Sequence, residues 1–223
     1  MIPLLQINQP RNLLRGFLGV QLLMANFYKV FSVFKKHYEP VPLEIYKKDP
    51  YKTLVSTLLS SRTKDEVTLE ASRRLFRKAP SIKKLDQLEQ LEIRNLIYPV
   101  GFYKTKAKHL KMLAKIIISE YGGKTPNTRE ELIKLPGVGR KTANLVLERA
   151  FGIPAIAVDT HVHKISNMLN WVDTNTPEQT ERELMKILPK KYWSDINRLF
   201  VSIGRQYKSK KKLEEFFKKS ELI

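Results

Sequence analysis

Cysteine is absent from all 223 residues. That removes disulfides, thiol nucleophiles and every zinc or iron–sulfur site built on thiolates, so no metal and no cofactor is expected. Long apolar runs are missing as well. The longest uncharged candidate, Gly16 to Tyr28, is closed by Arg15 and Lys29 and falls short of a membrane span of about 18 to 20 residues. No membrane partner is expected. Acidic residues are scarce, 22 against 41 Lys and Arg, which leaves a formal net charge of +19. Such self-repulsion is relieved by a polyanion, so nucleic acid is the leading partner. Lysine retained for solubility alone accounts for the sign of this charge but not readily for its size. Hydrophobic residues make up 42% of the chain, enough to bury a core, and this excludes disorder as the main state.

Residues 1 to 38 contain no acid and carry Arg11, Arg15, Lys29, Lys35 and Lys36, a bias shared with organellar presequences. Met24 begins "MANFYKVFSVFKKHY", which reads as a natural first helix. Residues 1–23 are therefore a targeting segment, a disordered arm, or a stretch upstream of the true start. The expected location is cytoplasmic and nucleoid-associated, or organellar or nuclear if that segment is a targeting signal.

Strict apolar alternation, the mark of a half-buried strand, is also missing; apolar residues recur at helical spacing almost everywhere after residue 24. Leu54, Val55, Leu58 and Leu59 mark one helix, and Val67, Ala71 and Leu75 the next. A further helix carries Ala107, Leu110, Leu113, Ala114 and Ile117, with Gly122 and Gly123 able to take positive φ at its end. Thr128 and Glu131 form a capping-box pattern opening a helix from Arg129 to Leu135, and Thr176, Pro177 and Gln179 repeat the start signal. Ile196, Leu199, Phe200 and Ile203 line a last long helix that Gly204 can terminate. The expectation is an all-α chain. A monomer is the default, since this pattern leaves no apolar stripe unexplained.

Between two of these helices lies Leu135-Pro136-Gly137-Val138-Gly139-Arg140-Lys141-Thr142. Glycines flanking one apolar residue allow a tight helix-hairpin-helix turn, with Val138 anchoring it in the core. Backbone N–H groups at the start of the second helix then suit a phosphate oxygen. Lys141 falls in that first turn, where the positive end of the helix dipole, and partial burial, would lower its amine pKa and favour Schiff-base chemistry. A phosphate-gripping surface lysine is the alternative. Eighteen residues on comes Asp159, in Val158-Asp159-Thr160-His161. It can cap the following helix through the N–H of His161 or Val162, or serve as a general base for Lys141.

"LPGVGRKTANLVLERAFGIPAIAVDTH", with "LLSSRTKD" at 58–65, "GFYKTKA" at 101–107 and "PEQTERELMKILP" at 177–189, resembles the helix-hairpin-helix DNA glycosylases with a Gly/Pro-rich loop and catalytic aspartate, and within them the endonuclease III branch. The resemblance covers roughly residues 45 to 207. It implies an all-α fold of two lobes with DNA in the cleft between them. One lobe is a six-helix barrel over 43–153, with the hairpin at about 129–150; the other is built from 24–42 and 154–223. The partner it implies is double-stranded DNA containing a damaged base or an abasic site.

By the same resemblance, Lys141 is the nucleophile at the sugar C1′ and Asp159 deprotonates it and stabilises the cationic sugar. The nucleotide is flipped out of the stack, and Arg62 and Phe102 occupy the positions that fill the hole. Arg62 departs from the family's usual glutamine, and Arg favours guanine acceptors, so opposite-base preference is open to change. Phe102 has an alternative role as a core residue. The hairpin residues Gly137, Val138, Gly139 and Arg140 hold DNA backbone. His161 either approaches a phosphate or is packed, and Asp65 is either a structural acid near the site or a first-turn helix acid. Typical relatives follow "GR-x-Y" with four cysteines holding a four-iron cluster. Here Gly204-Arg205-Gln206-Tyr207 leads into Lys208-Ser209-Lys210-Lys211-Lys212 instead, and Lys208, Lys210 and Lys211 are expected to supply phosphate contacts while Leu213, Phe216 and Phe217 pack as a helix. The activity expected is that of a bifunctional glycosylase and AP lyase on oxidised pyrimidines such as thymine glycol. The alternatives are a same-fold glycosylase for oxidised guanine or mismatched thymine or uracil, and a non-catalytic DNA-binding module.

Overall fold

The computed structural model describes residues 17–223, with side chains from residue 19 onward. The expectations for residues 1–16 lie outside the described residues. All regular structure among the described residues is helical. In chain order the helices are α1 (Phe17–Lys36), α2 (Pro50–Ser60), α3 (Asp65–Lys78), α4 (Ile82–Gln87), α5 (Gln90–Ile97), α6 (Tyr103–Tyr121), α7 (Arg129–Leu132), α8 (Arg140–Phe151), α9 (Thr160–Met168), α10 (Pro177–Ile187), α11 (Trp193–Gln206) and α12 (Lys210–Lys219). Short 3-10 turns at Pro42–Tyr46 and Lys190–Tyr192 complete the set.

The chain divides into two compact units, one comprising residues up to Val41 together with Ile156–Ile223, the other Pro42–Ala155. The division falls at 41/42 and 155/156.

The Pro42–Ala155 unit holds six helices, α2 to α6 and α8, plus the single-turn α7. Asp49 starts α2 by accepting the Lys52 N–H, with Pro50 in the first helical position where its missing donor costs nothing. The apolar faces anticipated from spacing meet in one core: Leu54, Val55 and Leu59 of α2 with Ala71 and Leu75 of α3, Leu110, Leu113 and Ile117 of α6, and Val146 of α8. Helix α2 packs on α3 and α8, and α6 packs on α4 and α5. The apolar faces of α4 and α5, each only two turns or so, supply Leu85, Ile93 and Ile97 to the same core.

The other unit is centred on aromatic rings. Phe31 stacks on Tyr192 with centroids 4.2 Å apart, and Phe27 meets Trp171 edge-on at 4.7 Å. Trp171 Nε1 donates to Asn26 Oδ1 at 2.7 Å, which satisfies the one polar atom its burial would otherwise strand. The tail folds onto this core as expected, burying Leu213, Phe216 and Phe217. Each such side chain contributes about 1.5–3 kcal/mol by leaving water, so apolar packing rather than the lysine-rich face holds α12 in place.

Three local expectations are corrected. Met24 does not begin the first helix; α1 is continuous from Phe17, and Leu23 already belongs to the core. Helix α7 ends at Leu132 rather than Leu135, because Ile133 and Lys134 turn the chain into the hairpin. Gly204 does not end α11, which runs on to Gln206. Its lack of a side chain serves packing instead, since the His161 ring lies against its Cα and a Cβ there would collide with Nδ1 and stand 2.7 Å from Cγ. Val20, Met24 and Tyr28 form an exposed strip on α1, so an apolar stripe does remain outside the core, contrary to the expectation behind a monomer.

Candidate active site and DNA-contact loops

The hairpin joins α7 to α8 through Leu135–Gly139. Val138 is buried and donates its N–H to Leu135 O at 3.1 Å, which closes the turn. Gly137 has φ +78°, and a Cβ there would stand 2.6 Å from His109 Nδ1, so both backbone angle and space demand glycine. Gly139 is the N-cap of α8 and brings no capping side chain. The two helices of the motif are tied by Arg129 Nε donating to Asn144 Oδ1 at 2.8 Å, and Asn144 is fully buried.

Arg140 and Lys141 open α8 with exposed side chains. Partial burial of Lys141, part of the sequence argument, is therefore not present. A groove beside the hairpin is lined by Lys104, Lys108, His109 and Pro136, which places further cations along the same unit.

Asp159 is the N-cap of α9, in the other unit. Its Oδ1 accepts from the N–H groups of both His161 and Val162 at 2.9 Å. The apolar stretch before it, Ala155 to Val158, is buried and fixes the backbone; Asn197 Nδ2 donates to Ala157 O at 3.0 Å from α11. The His161 ring is seated on Gly204, which is the packed arrangement.

Arg62 and Phe102 come together within the Pro42–Ala155 unit. Arg62 is exposed in the turn after α2, at φ +51°, and Phe102 is the N-cap of α6, at φ +56°. The Arg62 guanidinium lies 5.4 Å from the Phe102 ring centroid. Phe102 is 61% exposed, so the core alternative does not describe it. Left-handed backbone at two non-glycine residues costs about 1–2 kcal/mol each and has to be held by its surroundings. Several contacts do so. Thr63 Oγ1 accepts the Gly101 N–H at 3.0 Å, Gly101 lies so close to Arg62 O that a Cβ would collide with it, and Arg74 of α3 donates to Leu96 O and Tyr98 O. Neither composition nor spacing singles out the roles of Arg74, Thr63 and Lys106, whose amine sits under the Arg62 turn.

Asp65 is the first residue of α3, the position of a first-turn acid that favours the helix dipole. Lys208, Lys210 and Lys211 are exposed around the N-terminus of α12, where Ser209 accepts the Lys212 N–H at 3.2 Å. Lys210 is also 3.7 Å from Glu214 in an i, i+4 pair.

Residues 55–190 match the model of the HhH-GPD superfamily base excision DNA repair proteins. Endonuclease III of Thermotoga maritima is 48% identical over 158 residues, covering 71% of this chain and 74% of the relative. Endonuclease III-like protein 1 of Gallus gallus is 44% identical across 70% of this chain and 57% of its own length. Among solved structures, a trapped covalent endonuclease III–DNA intermediate superposes with a TM-score of 0.74 at 34% identity, covering 80% of this chain and 84% of that one. A thermostable thymine-DNA glycosylase shares the fold at 23% identity with a TM-score of 0.73. The chain belongs to the endonuclease III family of helix-hairpin-helix base excision repair proteins, which are DNA glycosylases with AP lyase activity.

A four-iron cluster of the kind typical of that family does not fit these residues. The 223 residues contain no thiolate ligand, and the segment after Tyr207 is occupied by α12 and its buried Leu213, Phe216 and Phe217.

Proposed function

We propose that this chain excises oxidised pyrimidines such as thymine glycol from double-stranded DNA and then cuts the strand, with Lys141 as nucleophile and Asp159 as proton acceptor. The observation that carries the reading is Lys141 in the first turn of α8, directly after the Gly137-Val138-Gly139 turn, in a chain of this family. The Lys141 nitrogen bonds to C1′ as the C1′–base bond breaks; the base departs with a proton and Asp159 takes one from the amine. Opening of the sugar ring leaves a Schiff base. Loss of a C2′ proton then expels the 3′ phosphate and cuts the strand on that side.

Asp159 caps α9 through Oδ1, which fixes its carboxylate at the start of that helix. Arg62 and Phe102 fill the space of the extruded nucleotide, a role supported by their exposure and mutual contact. Gly137, Gly139 and Arg140 hold a phosphate at the hairpin, and Lys208 and Lys211 add charge to the DNA-facing surface.

The test is a comparison of duplexes carrying thymine glycol, 8-oxoguanine or a G·T mismatch under single-turnover conditions. Base release and a 3′ unsaturated aldehyde product from thymine glycol, well ahead of the other two, support the reading. Preference for either of the others assigns the chain to a different lesion within the fold.

A further inference from the structure

Lys106 is a charged side chain only 6% exposed, in the first turn of α6 beside the Phe102 N-cap. Its amine donates to Leu59 O at 2.8 Å and Ser61 O at 2.5 Å and lies 3.3 Å from Thr63 Oγ1. The first of these oxygens belongs to the last turn of α2, where carbonyls lack helical partners and the dipole is negative. Thr63 Oγ1 also accepts the Gly101 N–H, so the turn carrying Arg62 and the turn carrying Phe102 are joined through one hydroxyl and one ammonium.

We propose that Lys106 is a positioning residue whose ammonium holds the Arg62 and Phe102 turns in register, so that both side chains enter the DNA stack together. The proposal rests on reading Arg62 and Phe102 as the groups that replace the extruded nucleotide. Methionine would fill the same volume without the desolvation cost of a buried cation, so packing alone does not account for lysine here. The ammonium instead supplies three protons to three oxygens of the Leu59–Thr63 segment.

Those oxygens are neutral, and Lys106 forms no ion pair among the described residues. The charged side chains on the flanking segment, Arg62, Lys64, Asp65 and Glu66, make no hydrogen bond to it, and Asp86 of α4 pairs with Lys111 instead. Burial without a counter-charge pushes the Lys106 amine down to about 8. A neutral amine has two protons to give, so one of the three bonds is lost as pH rises through that value.

The experiment uses a duplex with a tetrahydrofuran abasic analogue, which cannot form a Schiff base, and 2-aminopurine opposite it as a fluorescent reporter of unstacking. Wild type, Lys106→Met, Thr63→Val and Phe102→Ala are compared from about pH 6.5 to about 9.5, a span that brackets the shifted amine. The expected wild-type response falls through about pH 8. Lys106→Met loses about tenfold in response and becomes pH-independent, while Thr63→Val loses a few-fold and keeps the pH dependence. Wild-type response and pH profile in a folded Lys106→Met overturn the proposal. Should that variant fail to fold, a pH-independent wild type, or Thr63→Val matching wild type, overturns it in its place. If Phe102→Ala responds as wild type does, the reading of the filler residues fails and the proposal fails with it. Loss in Phe102→Ala with none in Lys106→Met refutes the role of Lys106 alone.

Discussion

The Arg62 guanidinium stands 5.4 Å from the centre of the Phe102 ring, and both residues hold left-handed backbone. The cation covers one face of an aromatic ring that is otherwise exposed, and the two turns carrying them are joined by hydrogen bonds. The pair is thus presented as a unit. Phe102→Ala is expected to lower kcat/KM on a damaged duplex by about tenfold or more, with a smaller loss on a single-stranded abasic site, where no stack has to be opened. Single-turnover rates on both substrates measure this.

Arg62→Gln replaces the guanidinium with a neutral amide, the side chain that the family resemblance implies at this position. Because Arg donates preferentially to guanine acceptors, the variant is expected to narrow the rate difference between lesions opposite guanine and opposite adenine. Paired rate measurements on the two duplexes read the change directly.

Gly204→Ala places a methyl group into the His161 ring. Overpacking of this kind costs about 1–3 kcal/mol, and alanine's better helix propensity returns only about 1 kcal/mol of that. Thermal or urea unfolding should therefore show a destabilised protein, and His161→Ala in the same background should recover much of the loss, since the two residues share one contact.

Asp195 sets an acid limit on stability. Burial alone would raise its pKa, but hydrogen bonds from Lys35 and Arg198, with their charges, outweigh that and hold the carboxyl below its ordinary value. A carboxylate with a depressed folded pKa contributes stability that is fully present above the unfolded value of about 4 and disappears as pH falls through the folded one. Asp195→Asn is expected to be less stable than wild type near neutrality and to approach it in acid, as urea unfolding along a pH series would reveal.

Asp159→Asn keeps an oxygen able to accept the His161 and Val162 N–H groups, so α9 should remain capped. Turnover should fall by about 100-fold or more if the carboxylate moves a proton. Retained turnover in the folded variant would leave Asp159 as a cap only.

Most helices were legible because their signals are short-range: Asp49-Pro50, Thr176-Pro177 with Gln179, and the glycines of the hairpin each act within a few residues. Lys141 and Asp159 were legible for the same reason, as residues at helix starts. Gly204 was misread because glycine late in a helical pattern signals an end, whereas here it accommodates a ring from α9, more than forty residues earlier in the chain. Lys106 was missed because its partners Leu59, Ser61 and Thr63 are 47, 45 and 43 residues away. One local signal did exist: it stands four residues before Leu110 and seven before Leu113, on the buried face of α6.

Borohydride trapping on a duplex containing an abasic site tests the central claim most directly, because reduction turns a lysine–sugar Schiff base into a stable protein–DNA bond. Wild type should give a covalent adduct that is absent from folded, DNA-binding Lys141→Gln. An adduct of undiminished yield in that variant would contradict the account and place the nucleophile elsewhere.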